Sequence, residues 1–420
     1  MREMKDSGIE WVGTIPKEWD VKANKYVMTK IKVIKPLYQG EDILSLTMNG
    51  VIVRDLDAGG KMPTSFNGYQ TLYPGNLLMC LFDYDVTPRC IGLIKNSGVT
   101  SPAYSQFVMK DGYSAEYYYY YYLMVDHTKA LLHRAKNLRH SFTEDQLGAI
   151  SVPVPPLVQQ KQIVSILDTK CAEIDALTAD IQSEIETLEA YKRSVITEAV
   201  TKGLDKNVPM KDSGIKWCPQ IPEHWENTNP KALFSQRYDR ATIGERQLTA
   251  SQDYGIVYQD EYMEMTGNRV VTVLKDFSIL KHVEPGDFVI SMRSFQGGLE
   301  YSEVRGCISS AYVMLIPNKK LVYPPFYRWF FKSSKYINAI QSTSNLVRDG
   351  QAMRYANFVQ VPLFIIPLDE QKKISEYLDE KVKDIDLILK DKREQLEVLA
   401  DYKKSVIYEY VTGKKEVVSE

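Results

Sequence analysis

Two stretches of this chain carry apolar residues at steps of three and four, while the rest shows short apolar runs broken by turn residues. In residues 156–201 the stripe runs Ile174, Leu177, Ile181, Leu188, Tyr191 and Val195. In residues 367–412 it runs Ile385, Ile388, Leu399, Tyr402 and Val406, with Lys392 interrupting where Ile181 stands in the first. Neither stretch has Gly or Pro after its start, and both are rich in Glu, Lys, Leu, Ile and Ala, so each predicts one long helix. A stripe sustained over several heptads is a coiled-coil seam and needs a partner helix. These residues are therefore the expected coiled-coil or subunit interface. At a rise of about 1.5 Å per residue each helix spans roughly 60–70 Å, about two turns of B-DNA. A helix of that length suits a strut that holds two objects at a fixed separation.

The stretches align without a gap at a constant offset of 211. Leu157 meets Leu368, Gln160 meets Gln371, and Asp168 meets Asp379. Ile174-Asp175 meets Ile385-Asp386, and Tyr191-Lys192 meets Tyr402-Lys403. A second word repeats as well. Lys5-Asp6-Ser7-Gly8-Ile9, Trp11, Ile15-Pro16 and Trp19 return as Lys211-Asp212-Ser213-Gly214-Ile215, Trp217, Ile221-Pro222 and Trp225. A period of half the chain lies far beyond the ~20–50 residues of solenoids, so this is one internal duplication. Each half opens with a Trp-anchored arm. Its tryptophans are read either as arm residues packing on the following domain or as plain core residues.

Between these words lie two globular regions. In the first, strand-like runs such as residues 42–46, 50–53, 76–81, 91–94 and 106–109 alternate with turn signals. Tyr117–Tyr122 then reads as a buried helix, since six tyrosines at helical spacing cannot all face one way to stack bases. The second region repeats the skeleton weakly. Pro74-Gly75-Asn76 returns as Pro285-Gly286-Asp287, and Ser101-Pro102-Ala103-Tyr104 as Ser309-Ser310-Ala311-Tyr312. The expected fold is α+β: two similar, mostly-β domains separated by two long antiparallel coiled-coil helices, with an internal pseudo-two-fold duplication. The expected boundaries are 1–155 for the first arm and domain, 156–203 for the central helix, 204–366 for the second arm and domain, and 367–415 for the C-terminal helix. Arms and helices are alike and loops are not, so the like parts do one job twice while the loops meet two different things. A dyad-related pair of readers suits DNA.

Composition narrows this further. Lys and Arg number 52 against 54 Asp and Glu, so a nucleic-acid surface has to be local. No apolar run reaches the ~20 residues that span a bilayer, and MREMKDSGIEW lacks a signal peptide's apolar core. Five scattered cysteines without CxxC spacing argue against a disulfide framework or zinc site and for a reduced, cytoplasmic protein. No phosphate loop, glycine-rich cofactor loop or HExxH metal motif is present. Tyr323-Pro324-Pro325-Phe326 approaches the Asn/Asp-Pro-Pro-Tyr/Phe motif of adenine methyltransferases, but Tyr323 lacks the amide or carboxylate that grips the adenine amino group. It reads as a helix start.

The duplicated arm word, the Pro-Leu-x-x-Gln helix starts (Leu157 to Gln160, Leu368 to Gln371) and the Tyr-Lys-x-Ser-Val-Ile helix ends together resemble the specificity subunit of type I restriction–modification enzymes. The resemblance covers essentially the whole chain. One position departs from the family pattern: Gln159 stands where the second copy keeps the usual Glu370. A lost helix-start carboxylate costs about 0.5–1 kcal/mol. The resemblance implies a non-catalytic DNA-recognition subunit. Each domain would read one half of a bipartite double-stranded site, and the helices would set the spacer and dock two modification (methyltransferase) subunits. Restriction subunits would join them, and S-adenosylmethionine, ATP and Mg²⁺ would sit on the partners, with none bound by this chain.

Base reading needs forked donors and acceptors, and phosphate contact needs cations and hydroxyls. In the first domain the candidates are Thr47, Asn49, Arg54, Lys61, Arg89, Arg134, Lys136, Asn137 and Arg139. In the second they are Thr249, Gln252, Arg293, Asn345, Arg348 and Arg354. The competing reading is a coiled-coil scaffold whose heads bind proteins and no DNA, which near-neutral charge favours slightly and the duplicated words disfavour strongly.

Overall fold

The computed structural model describes residues 2–58, 63–135, 140–273, 277–291, 294–343 and 353–417, with Phe295 by its backbone alone. The chain forms two compact units. The first comprises residues 1–181 and 394–420, and the second residues 182–393. The long helices Leu157–Lys202 and Leu368–Val411 are thus each divided between the units.

Each unit carries one arm. Met4–Asp6 pairs antiparallel with Thr14–Pro16, and Met210–Asp212 with Gln220–Pro222. The repeated Asp-Ser-Gly-Ile word is the turn of this ribbon. Asp6 Oδ1 accepts from Gly8 N at 3.0 Å and Ser7 Oγ accepts from Ile9 N at 3.1 Å; Asp212 and Ser213 do the same at 2.9 Å each. Gly8 and Gly214 sit at φ +67° and +68°, a left-handed conformation open to glycine without Cβ strain. Trp19 and Trp225 are wholly buried, while Trp11 and Trp217 are partly so.

Each unit then builds eight core strands with one topology. In the first unit these are β1 (Met28–Ile31), β2 (Leu44–Thr47), β3 (Gly50–Val53), β4 (Gln70–Leu72), β5 (Leu77–Met79), β6 (Ile91–Leu93), β7 (Gly98–Thr100) and β8 (Ser105–Met109). In the second they are β9 (Phe234–Arg237), β10 (Leu248–Ser251), β11 (Gly255–Tyr258), β12 (Lys281–Val283), β13 (Phe288–Ile290), β14 (Glu300–Tyr301), β15 (Gly306–Ile308) and β16 (Val313–Pro317). The central sheets run β1-β8-β5-β6 and β9-β16-β13-β14, all antiparallel. The hairpins β2–β3 and β10–β11 correspond, as do the pairs β4–β7 and β12–β15.

The tyrosine run forms the helix Ala115–His127, capped by Ser114 Oγ, which accepts from Tyr117 N at 3.2 Å. It is buried because the first unit surrounds it. Tyr117 donates to Val411 O at 2.8 Å, Tyr118 to Pro153 O at 3.0 Å, and Tyr120 to Asp168 Oδ1 at 2.7 Å. Tyr121 accepts from Trp11 Nε1 at 3.1 Å. One face of this helix meets the C-terminal helix, another the central helix, and a third the arm. All five cysteines are buried free thiols. Among the described residues no helix is long and apolar enough to cross a membrane.

Candidate nucleic-acid interface

Within each unit the two long helices run antiparallel, and ion pairs fix their register. Asp175 bonds Lys403 at 2.5 Å in the first unit, and Asp386 bonds Lys192 at 2.5 Å in the second. The repeated Ile-Asp and Tyr-Lys words are therefore each other's partners, used twice. Lys392, which interrupts the second stripe, lays a half-buried stem in the seam and pairs with Glu184 at 2.5 Å.

The seam departs from the sequence pattern at four places. It passes through Ile174, Thr178, Ile181, Ile185 and Leu188 on the central helix, and through Val382, Ile385, Leu389, Lys392, Leu396 and Leu399 on the C-terminal one. Val195 and Val406 also face inward. Leu177 and Tyr191 do not, at 48% and 47% exposed, nor do Ile388 and Tyr402, at 45% and 52%. The heptad step from Ile174 goes to a threonine, and apolarity alone favours the leucine one residue earlier. These four residues correspond pairwise in the repeat and carry nearly the same exposure. By the register of the ion pairs, Leu177 stands level with Tyr402 in the first unit, and Ile388 level with Tyr191 in the second.

The heads present two matched hairpins. The inward sides of β2–β3 hold Leu44 and Val51 in a small core with Leu72, Leu78 and Ile94. Leu248 and Ile256 of β10–β11 do the same with Val283, Val289, Ile308 and Met314. Each tip is braced by a hydroxyl. Thr47 Oγ1 accepts from Asn49 N and donates to Gly50 O, both at 3.1 Å, while Ser251 Oγ accepts from Asp253 N and Tyr254 N, both at 3.3 Å. The tips differ: Met48-Asn49 in the first, Gln252-Asp253-Tyr254 in the second.

The family model described as "Type I restriction modification DNA specificity domain" matches residues 91–187. A curated relative, the putative type I restriction enzyme MjaX specificity subunit of Methanocaldococcus jannaschii, is 27% identical over 292 residues. The chain is similar in sequence to the specificity subunits of type I restriction enzymes. The match covers 68% of this chain and 64% of that relative, so the chain spans under two thirds of the relative's length. Two solved structures share the fold at 13% identity. One, from work on complex assembly and conformational transition of the type I R-M system, has a TM-score of 0.69 and covers 96% of this chain and 99% of that one. The other, the HsdS subunit from Thermoanaerobacter tengcongensis, has a TM-score of 0.51 with 96% and 98% coverage.

The hairpins gather four of the candidate residues. Thr47 and Asn49 belong to the first, and Thr249 and Gln252 to the second; Thr249 lies in β10 opposite Val257, and Gln252 packs against Gly297. The others sit elsewhere. Arg54 follows β3 and donates its backbone N–H to Ile43 O at 2.7 Å. Arg89 lies near the Tyr119 phenol beside the tyrosine helix. Arg134 is exposed, its guanidinium 5.4 Å from the Trp11 ring. Arg354 is exposed at the start of the short helix Tyr355–Phe358, its N–H bonded to Asn357 Oδ1 at 3.0 Å. Lys61, Lys136, Asn137, Arg139, Arg293, Asn345 and Arg348 lie outside the described residues.

The helix-start word has a role that sequence reasoning missed. Gln160 is wholly buried: its Oε1 accepts from Ser114 N and its Nε2 donates to Pro155 O, both at 2.8 Å. Gln371 repeats this with Tyr323 N and Ile366 O and adds Leu321 O, all at 2.8 Å. The preceding residue accepts from the buried tryptophan. Trp19 Nε1 lies 2.7 Å from Gln159 Oε1, and Trp225 Nε1 lies 3.1 Å from Glu370 Oε2. Gln159 therefore keeps the acceptor that matters, with Arg2 Nη2 at 2.9 Å, where His224 meets Glu370 at 2.7 Å. Identity of Gln160 and Gln371 in the repeat was the available signal.

Proposed function

We propose that this chain is the DNA-recognition subunit of a type I restriction–modification enzyme. Each head reads one half of a bipartite double-stranded site, and the helix pair sets the unread spacer and docks two modification subunits. The observation that carries this reading is what repeats and what does not. Arms, helix words and the outer apolar positions Leu177/Ile388 and Tyr191/Tyr402 recur at matched exposure. The hairpin tips recur in position but not in chemistry. Two like surfaces suit two copies of one partner, and two unlike tips suit two different half-sites. On this reading the chain is non-catalytic, works in the cytoplasm and supplies only the address. The methyl donor S-adenosylmethionine belongs to the modification subunits; ATP and Mg²⁺ serve partner subunits once restriction subunits join.

The test is co-expression of the full chain with a candidate modification subunit, followed by methylation-sensitive sequencing and measurement of complex stoichiometry. The expected result is one split motif and two partner copies. Replacing Leu177 and Tyr402 with Ala should remove one copy, and adding Ile388→Ala and Tyr191→Ala should remove both. DNA binding that weakens steeply with salt supports the reading through counterion release. An assembled complex that neither methylates nor binds DNA supports a protein-binding scaffold instead.

A further inference from the structure

The two matched hairpins have a rigid frame and a variable tip. Leu44 and Leu248 occupy the same place, as do Val51 and Ile256, and all four are buried. Parallel bridges Ile43–Val99 and Gln247–Cys307 tether the two bases identically. Thr47 and Ser251 hold the tip backbones, and Gly50 (φ +90°) and Gly255 (φ +71°) close the turns. The N–H groups of Asn49, Asp253 and Tyr254 are bonded within the turns, and the side chains of these residues and of Met48 are exposed. Met48 is 58% exposed and Tyr254 50%, and Asn49 and Asp253 are exposed. Tyr254 is steadied edge-on by Tyr262, with ring centroids 6.2 Å apart.

We infer that the tips of β2–β3 and β10–β11 enter the major groove of double-stranded DNA and read base edges, one half-site each. This rests on the recognition reading above and names the reading element. A two-stranded ribbon fits the major groove, which is about 12 Å wide. An asparagine amide matches the adenine N6/N7 edge, and a carboxylate accepts from the cytosine N4 amino group. Met48 and the Tyr254 ring supply apolar contact of the kind that suits a thymine methyl. Asn49 thus assigns an adenine to one half-site, and Asp253 a cytosine to the other. The tips differ in length, two residues against three, which offsets what they reach.

The test uses the full chain with its modification partner and sequences methylated DNA from cells carrying Asn49→Ala or Asp253→Ala. Each variant should relax one position in one half of the motif. Preference for the read base should fall about five- to 150-fold, the range for one good side-chain–base pairing. The other half should stay unchanged, which shows that the variant folds and assembles. Unchanged preference at every position in both variants overturns the inference and leaves the recognition reading intact. So does weakened assembly with the motif unchanged, which assigns the tips to a protein contact. An unmutated complex that yields no split motif overturns both.

Discussion

Gln371 offers a quantitative test of how the helix starts are held. Its side chain is wholly buried and makes three hydrogen bonds of 2.8 Å, one accepted from Tyr323 N and two donated to Leu321 O and Ile366 O. Replacing it with Leu keeps most of the volume, so the cavity contribution is small. The substitution strands one backbone donor and removes a donor from two carbonyls. An unsatisfied buried group costs about 1–3 kcal/mol. The donor counts in full and the carbonyls in part, giving roughly 3–5 kcal/mol for Gln371→Leu. Gln160→Leu breaks two such bonds, so roughly 2–4 kcal/mol is expected in the first unit. Amide hydrogen exchange reads the two units separately. In Gln371→Leu, the amides of Tyr323 and the helix Pro324–Phe330 should exchange at least a hundredfold faster, about 2.7 kcal/mol, while those of Ala115–His127 stay protected. A tenfold change or less in that helix would show that the glutamine is not a clamp and would refute the argument.

Two further outcomes follow from electrostatics. Reversing Lys192 to Asp should cost about 0.2–1 kcal/mol, as exposed pairs do, and Asp386→Lys added to it should recover most of the loss in thermal melts. No recovery in the double variant would mean that the pair does not set the register. Burial pushes the Glu300 carboxyl up to about 7 against the opposing pull of Lys332, whose Nζ lies 2.6 Å away. A carboxyl that holds its proton more tightly when folded stabilises at low pH, and that contribution is lost as pH rises from its ordinary value of 4.5 through about 7. Melting temperature should therefore fall over that window, and Glu300→Gln should flatten the slope. A steeper slope in the variant would contradict the burial argument.

Much of this architecture is legible in the sequence because the duplication compares the chain with itself. The long helices, the arms and the tyrosine core helix all follow from periodicity and repetition. The seam was harder. Thr178 and Lys392 occupy seam positions, so apolarity points to Leu177 and to an apparent break instead. The partners of Gln160 and Gln371 were hidden because each side chain bonds backbone tens of residues away, such as Ser114 and Tyr323. No local pattern records a long-range hydrogen bond. The first hairpin was legible as strands, whereas the second and the equivalence of the two were not: that equivalence rests on register and on buried positions such as Leu44 and Leu248, among loops whose sequences share little.

That contrast explains why the repeated words survive duplication as words. An ion pair such as Asp175–Lys403 recurs as Lys192–Asp386 because an antiparallel pair of like helices meets each word with its complement. Changing Ile-Asp in one copy breaks a contact with Tyr-Lys in the other. The clamp glutamines are bound in the same way to backbone geometry shared by both units. A hairpin tip has no such counterpart. Among the described residues Thr47 and Ser251 bond only their own turns, and Gly50 and Gly255 close those turns. Tip residues can therefore change independently while the frame beneath them stays fixed, as the proposed reading of two different half-sites requires.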